Sequence, residues 1–394
     1  MATIYDQRYI QLIEHLAQVR HDAGVTQNAL AEILGWDQSA VSKVEHFDRR
    51  LDVMELYDWL TALDYNHRKF FEEIGWLQEA INTSLPAMPV PGKATQPTDA
   101  RGHLIDGTLI EMAWQGTKRE VLIEGLPVNG YLRLESEISN IYKSLNDGKG
   151  GKNRAAILLA LKMAIDRFPT VNPSDLYHHI VYRLYLRDYT KTQADRSWVR
   201  AGGEAFELFL EQHYNQVLNP VGIGVKWLCN DASKASALQE MGIDGEVGGS
   251  KLDIALYGQI EGNPIIFGGI HAKLSLAERV SDDVPCSVAM MGRGLASYLV
   301  TLDAKSFPPP YGDLVNRGEL GTLESPSDKR GYIETHGSFT ACFSYNLRTT
   351  PSGQTTSSGR RIYTSTFSRE TDHLPHVVLA AWNAFQALRK QQYR

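Results

Sequence analysis

Cysteine is scarce in this 394-residue chain. Its three cysteines, Cys229, Cys286 and Cys342, are widely spaced and form no CxxC pair, which argues against a disulfide framework and a cysteine-built zinc site. They are expected to be buried small hydrophobes. Long apolar runs are also missing: no stretch approaches the ~20 residues that cross a bilayer. The opening MATIYDQRYIQLIEHLAQ lacks the basic-then-apolar order of a signal peptide, so a cytoplasmic protein without a membrane partner is expected. No sign of charge dominates. With 40 Lys and Arg against 46 Asp and Glu the formal charge is −6, and any nucleic-acid contact must come from local basic patches. HExxH does not occur, and neither GxSxG nor GxGxxG occurs in a persuasive context, which removes metallopeptidase, hydrolase-elbow and dinucleotide chemistry. The GKGGK stretch at 148–152 is not a phosphate-binding P-loop, because no GxxxxGK[ST] follows a strand. No internal repeat is evident.

What is present is ordinary globular composition, 43% hydrophobic and 22% charged, over a length that accommodates two or three domains. Residues 9–64 carry unbroken helical periodicity. Thr26 is placed to cap a short helix with Leu30, Ile33 and Leu34 on one face, Gly35 to make a turn, and residues 39–47 to form a second helix. The pattern Thr26, Gln27, Leu30, Ala31, Gly35, Ser39, Val41, Ser42, Glu45 resembles the helix-turn-helix of the Cro and phage-repressor family. That resemblance implies a second helix entering the major groove, with Gln38, Ser39, Ser42 and Lys43 as base-edge or phosphate candidates and Gln27 on the backbone. A helical module used only for protein contacts is the alternative.

Residues 82–101, rich in Pro, Thr and Ala, read as a linker. Strand-like pieces follow in 102–129, then helices over 132–168, 173–189 and 193–218. His178 and His179, adjacent on a helix, diverge too far to share a metal and are expected at the surface or core edge.

Residues 250–305 organise the rest. Two apolar β-type runs, 252–257 and 264–270, flank the turn-forming QIEGN. A turn centred near Gly262 sets Asp253 opposite His271, with Lys273 one repeat further along the same face. A carboxylate opening one strand and a lysine closing the next resembles the PD-(D/E)xK nuclease motif. In such enzymes carboxylates hold Mg²⁺ on the scissile phosphate while the lysine steadies the attacking water and the developing charge. The resemblance makes Asp253 the metal-binding acid, Lys273 the catalytic lysine and His271 the occupant of the place where most members carry Glu or Asp. It also implies a glutamate on the helix before the first core strand, either Glu204 or Glu207 from RAGGEAFELFL, with Glu207 as the metal-ligand choice. An ordinary solvated helix face is the other reading for each. The order helix, strand, hairpin, helix, strand is that of the nuclease core.

The wording HAKLSLAERVSDDVP resembles the CCGG/CCNGG-cutting endonucleases of the BsaWI, EcoRII and NgoMIV kind. In that group an Arg/acid/Arg cluster beyond the lysine reads G·C pairs, since a guanidinium donates twice to guanine and a carboxylate accepts from cytosine N4. Glu278 and Arg279 match two of its members, and Ala277 stands at the first arginine's place. Cys286 stands where relatives carry a helix-borne glutamate. Asp282 or Asp283 is open to a metal or base contact, or to a helix N-cap before Val284. A rival D-x-K ends the next strand as Asp303, Ala304, Lys305; Lys273 is preferred because the tight hairpin sets it beside Asp253. Beyond it come a proline-rich loop, two β-type segments joined by a basic loop at 349–361 read as a solvated hairpin tip, and a terminal amphipathic helix.

The expectation is an α/β (α+β) restriction-endonuclease-like core with a mixed sheet flanked by helices, plus an all-α N-terminal helix-turn-helix domain. The divisions expected are 1–80, a linker at 81–101, and a nuclease domain at 102–394, with an accessory part to 190 and a catalytic core from 191. The resemblance implies a Mg²⁺-dependent type II enzyme that cuts double-stranded DNA at a palindromic G·C-rich site. It implies a homodimer, since a palindrome offers two equivalent half-sites, and a cognate methyltransferase in the same system. The alternative is a Cro-like regulator with a C-terminal sensing or oligomerisation domain, in which Asp253 and Lys273 form a simple ion pair.

Overall fold

The computed structural model describes residues 7–76, 90–99, 102–114, 117–146, 152–191, 194–247, 252–276, 280–305 and 315–392. The chain divides into two compact units, Met1–Pro86 and Ala87–Arg394.

The first unit is all helical: α1 (Gln7–Asp22), α2 (Gln27–Leu34), α3 (Gln38–Glu45), α4 (Val53–Ala62) and α5 (His67–Glu73). Local chemistry sets its boundaries. The Ala29 amide donates to Thr26 Oγ1 at 3.1 Å, and Gly35 closes α2 at φ 68°, a left-handed position that favours glycine. Asp52 and Glu55 form a reciprocal capping box at the start of α4. Leu16, Leu30, Val41, Val44, Trp59 and Phe70 are buried in one core, so every helix contributes apolar surface to it.

The second unit opens with an antiparallel sheet, β1 (Val90–Thr95), β2 (Gly107–Trp114) and β3 (Thr117–Glu124). Strand β1 lies inside the stretch expected to be a linker: Ala94 and Thr95 pair with Ile110 and Leu109. Helices α6 (Val128–Asn146) and α7 (Asn153–Arg167) follow, then α8 (Pro173–Asp175), a π-helical turn (Leu176–Tyr182) and α9 (Arg183–Asp188). This turn corrects the expectation that His178 and His179 lie at the surface or core edge. Both are buried, among Ile180, Val181 and Leu184, and burial pushes both rings well below the ordinary histidine value. Their rings stand nearly perpendicular, at 88°.

The long helix α10 (Ala194–Leu218) then packs on a six-stranded mixed sheet: β4 (Gly224–Trp227), β5 (Ile254–Ile260), β6 (Asn263–Lys273), β7 (Ala296–Thr301), β8 (Ala341–Ser344) and β9 (Ile362–Thr364), in that order. Helices α11 (Asp231–Met241), α12 (Val284–Gly292), α13 (Asp328–Glu334) and α14 (Leu374–Gln392) complete the unit. Strands β4–β6 pair antiparallel and β6–β9 parallel. Parallel pairing of β8 and β9 corrects the hairpin expectation for 349–361, since parallel neighbours need a crossover. Cys286 and Cys342 are buried as expected, whereas Cys229 is exposed at the end of β4.

The β5–β6 hairpin turns on Glu261 and Gly262, at φ 51° and 81°, the paired left-handed conformation of a two-residue hairpin turn. Its register changes partway. Tyr257 faces Ile266, but Leu256 faces Gly268, leaving Phe267 as a bulge. An unbulged ladder would put Asp253 opposite Ile270; the bulge moves it opposite His271. A Cβ at Gly269 would lie 2.6 Å from Leu252 Cδ1 and 3.0 Å from the Ile254 carbonyl oxygen, so this crowded stretch of β6 requires glycine.

Candidate active site

Asp253 sits just before β5, where three backbone bonds fix it. Its amide donates to the Ile270 carbonyl and its carbonyl accepts from the Leu228 amide. Its Oδ2 accepts from the Ala272 amide at 2.9 Å. The same oxygen lies 3.7 Å from Lys273 Nζ, and the other, Oδ1, lies 3.5 Å from Lys234 Nζ. Each carboxylate oxygen thus faces one ammonium. Lys273 also reaches Asp283 Oδ2 at 3.2 Å.

Asp283 occupies the N-cap position of α12, as the helix N-cap reading expects, but its side chain makes no cap bond. Its buried carboxylate is held above the ordinary carboxyl value, chiefly by loss of solvent. His271 is fully buried beneath it: Nδ1 lies 3.9 Å from Asp283 Oδ1 and Nε2 lies 3.2 Å from Ser297 Oγ, which accepts from Ser287 Oγ. Asp282 is exposed beside this group, in a short 3₁₀ turn.

From α10, Glu207 accepts the Trp227 indole N–H at 2.6 Å. Its carboxyl is pushed up to about 7, first by burial and then by the charge of Asp253, while Lys234 and Lys273 partly offset the rise. The buried Glu207 carboxyl and the neighbouring Asp253 carboxylate form a donor pair suited to a hard divalent cation, with water or phosphate oxygens completing its shell. Among the described residues no three His, Cys, Asp or Glu side chains are grouped closely enough to hold a metal by themselves. The fit therefore rests on this pair.

Glu207, Asp253, His271 and Lys273 are thus brought together, along with Asp283. Glu204, one turn earlier on α10, is engaged elsewhere, with Arg154 at 3.0 Å and Arg200 at 2.8 Å. Lys305 pairs with Glu319 at 2.9 Å. Asp303 is buried, accepting from the Glu319 amide and Thr349 Oγ1, and loss of solvent raises its carboxyl to about 6. Glu278 and Arg279 lie outside the described residues, as does most of the GKGGK loop. Sequence reasoning missed Lys234. Its only local signal is its place on the inward face of α11, three, four and seven residues before the buried Ala237, Leu238 and Met241.

In the helical unit, Arg20 holds the Glu45 carboxylate by two bonds, at 2.6 and 2.9 Å. Glu45 accepts from Gln27 at 2.7 Å, and Gln27 accepts from Gln38 at 2.9 Å. This relay ties the start of α2 to the start of α3. Ser39 and Lys43 are exposed, and Ser42 Oγ lies 3.4 Å from His46 Nδ1.

A mixed sheet flanked by helices, with these carboxylates and lysines at one edge of its hairpin, defines a restriction-endonuclease-like fold. Comparison with known proteins agrees. Residues 231–371 match the family model described as BsaWI restriction endonuclease type 2. The type II restriction enzyme AgeI of Thalassovita gelatinovora is 49% identical over 273 residues, covering 68% of this chain and 96% of that one. The crystal structure of a specific AgeI–DNA complex is 44% identical with a TM-score of 0.63, covering 73% of this chain and 99% of that chain. An XRE-family like protein from Pseudomonas syringae pv. tomato is 38% identical over 18% of this chain and 89% of its own, with a TM-score of 0.18. The chain belongs to the BsaWI/AgeI-type family of type II restriction endonucleases.

Proposed function

We propose that this protein is a Mg²⁺-dependent endonuclease that hydrolyses double-stranded DNA at a specific palindromic, G·C-rich site containing CCGG or CCNGG. The observation that carries the reading is the meeting of Asp253, Glu207 and Lys273 at the open end of the β5–β6 hairpin, within a chain of this family. A divalent ion there supplies charge neutralisation at the scissile phosphate and an acidified water. Asp253 and Glu207 offer the oxygen donors, and the backbone bond from Ala272 fixes the Asp253 carboxylate in orientation. Lys273, held between Asp253 and Asp283, is placed to orient the attacking water and offset the charge that develops on phosphorus oxygens. His271 supports Asp283 from the buried side.

Glu278 and Arg279 are proposed to read G·C pairs, with Asp282 as a further DNA contact. Because the site is palindromic, the working enzyme is a homodimer. A methyltransferase of matching specificity protects the host. The helical unit adds a helix-turn-helix contact through Gln27, Gln38, Ser39, Ser42 and Lys43, with Glu45 fixing the glutamines. The helical unit also favours a second reading, a Cro-like regulator. Incubation of the full chain with plasmid and phage DNA, with Mg²⁺ and with EDTA, decides between them. Discrete Mg²⁺-dependent fragments, with ends that share one palindrome on sequencing, are expected; intact DNA in every lane with a specific mobility shift supports the regulator.

A further inference from the structure

Lys234 belongs to no part of the scheme above, yet it stands inside the site. It projects from the inward face of α11, the face that carries Ala237, Leu238 and Met241 into the core, while its neighbours Asp231 and Ala235 face solvent. A capping box of Asn230 and Ser233 fixes the start of this helix, so the lysine's origin is rigid. Its ammonium lies 3.5 Å from Asp253 Oδ1, with the side chain only 21% exposed.

The two oxygens of Asp253 differ. Oδ2 takes the Ala272 amide bond and faces Lys273, whereas Oδ1 faces Lys234. Lys234 also lies within electrostatic reach of Glu207. One ammonium therefore lies in the field of both carboxylates, which is where a divalent ion shared by them would sit. Two cations cannot occupy that place together.

Resting on the metal-site reading above, we propose that Lys234 is a resident counter-ion that competes with the divalent cation for Asp253 and Glu207. It keeps the carboxylate pair neutralised in the DNA-free protein and must swing away from Asp253 Oδ1 when the metal binds. A DNA phosphate entering the site gives the displaced ammonium a new anionic partner. Metal occupancy is thereby weakened until substrate is present.

The test reads metal binding in the full-length protein without DNA. Trp227 donates to Glu207, so a 5-fluorotryptophan label at this position, assigned through Trp227→Phe, reports the site by ¹⁹F NMR. Mg²⁺ is titrated into wild type, Lys234→Met, Lys234→Arg and Asp253→Asn, with thermal unfolding checking that each variant is folded. The expected result is half-saturation at about fivefold lower Mg²⁺ in Lys234→Met, the size of one lost ion-pair competitor, near-wild-type binding in Lys234→Arg, and no saturable shift in Asp253→Asn. Equal or weaker Mg²⁺ binding in Lys234→Met, with Asp253→Asn still abolishing it, overturns the counter-ion role and leaves the metal site standing. Undiminished binding in Asp253→Asn overturns the metal site itself and the counter-ion role with it.

Discussion

Replacing Glu207 with glutamine should make the metal-free protein more stable while removing the activity. The Glu207 carboxyl is raised to about 7 from an ordinary value of 4.5, by burial and by the Asp253 charge. Ionising it therefore costs the folded chain about 3 kcal/mol more than the unfolded chain. Because glutamine keeps the Trp227 hydrogen bond but gives up the attraction of the two lysines, a net of about 2 kcal/mol is the working figure. The folded state binds this proton more tightly, so the contribution to stability is fully present below about 4.5 and is lost as pH rises through about 7. In Glu207→Gln nothing ionises, and the side-chain oxygen can still accept from Trp227. Denaturant unfolding in EDTA should give similar midpoints for wild type and variant near pH 4.5, with the variant more stable by about 2 kcal/mol near pH 8. Saturating Mg²⁺ should narrow or reverse that gap, because only the wild type keeps both donors. A variant no more stable than wild type near pH 8 would refute the electrostatic account of the carboxylate pair.

Asp283→Asn removes the nearer of the two carboxylates that hold Lys273; single-turnover cleavage is expected to slow by about a hundredfold, with DNA affinity little changed. Lys305→Ala and Glu204→Ala each break ion pairs outside the cluster, so cleavage rates within about threefold of wild type and stability losses of at most about 1 kcal/mol are expected. A collapse of cleavage in Lys305→Ala would move the catalytic lysine to the rival D-x-K. Gly258→Ala drives a methyl group into the buried Trp382 ring, which packs against β5 from α14. It should cost about 1–3 kcal/mol, read as a lowered Tm with full activity below the transition.

The hairpin was legible because its turn chemistry and its β-type runs are local signals. Its register came out right for a reason the sequence does not display: counting symmetrically about Gly262 agrees with the structure because Phe267 bulges. The elements before and after it, α10, β4, α11, α12 and β7, also follow from periodicity, as do α1 to α4 of the first unit with the Thr26 cap and the Gly35 turn. Parallel pairing was not legible. Segments of three or four residues, such as β8 and β9, carry no mark of direction, and a polar Gly- and Ser-rich loop between them resembles a hairpin tip. Nor could burial of His178 and His179 be read, since it depends on a π-helical turn and on packing with residues distant in sequence. Strand β1 was hidden by the proline-rich composition around it. At the site, Asp253 and Lys273 could be paired because one hairpin joins them. The choice of Glu207 over Glu204, and the presence of Lys234, depend on how α10 and α11 dock against that hairpin, a tertiary fact without a local pattern.

The central claim is that Lys273, held beside Asp253, serves phosphodiester hydrolysis and not merely an ion pair. Its most direct test compares wild type with Lys273→Ala on plasmid DNA in Mg²⁺, alongside a mobility-shift assay in EDTA on the same DNA. The account predicts discrete fragments from wild type, at least about a hundredfold slower cleavage by the variant, and a retained specific shift for both. Unchanged cleavage by Lys273→Ala would contradict it.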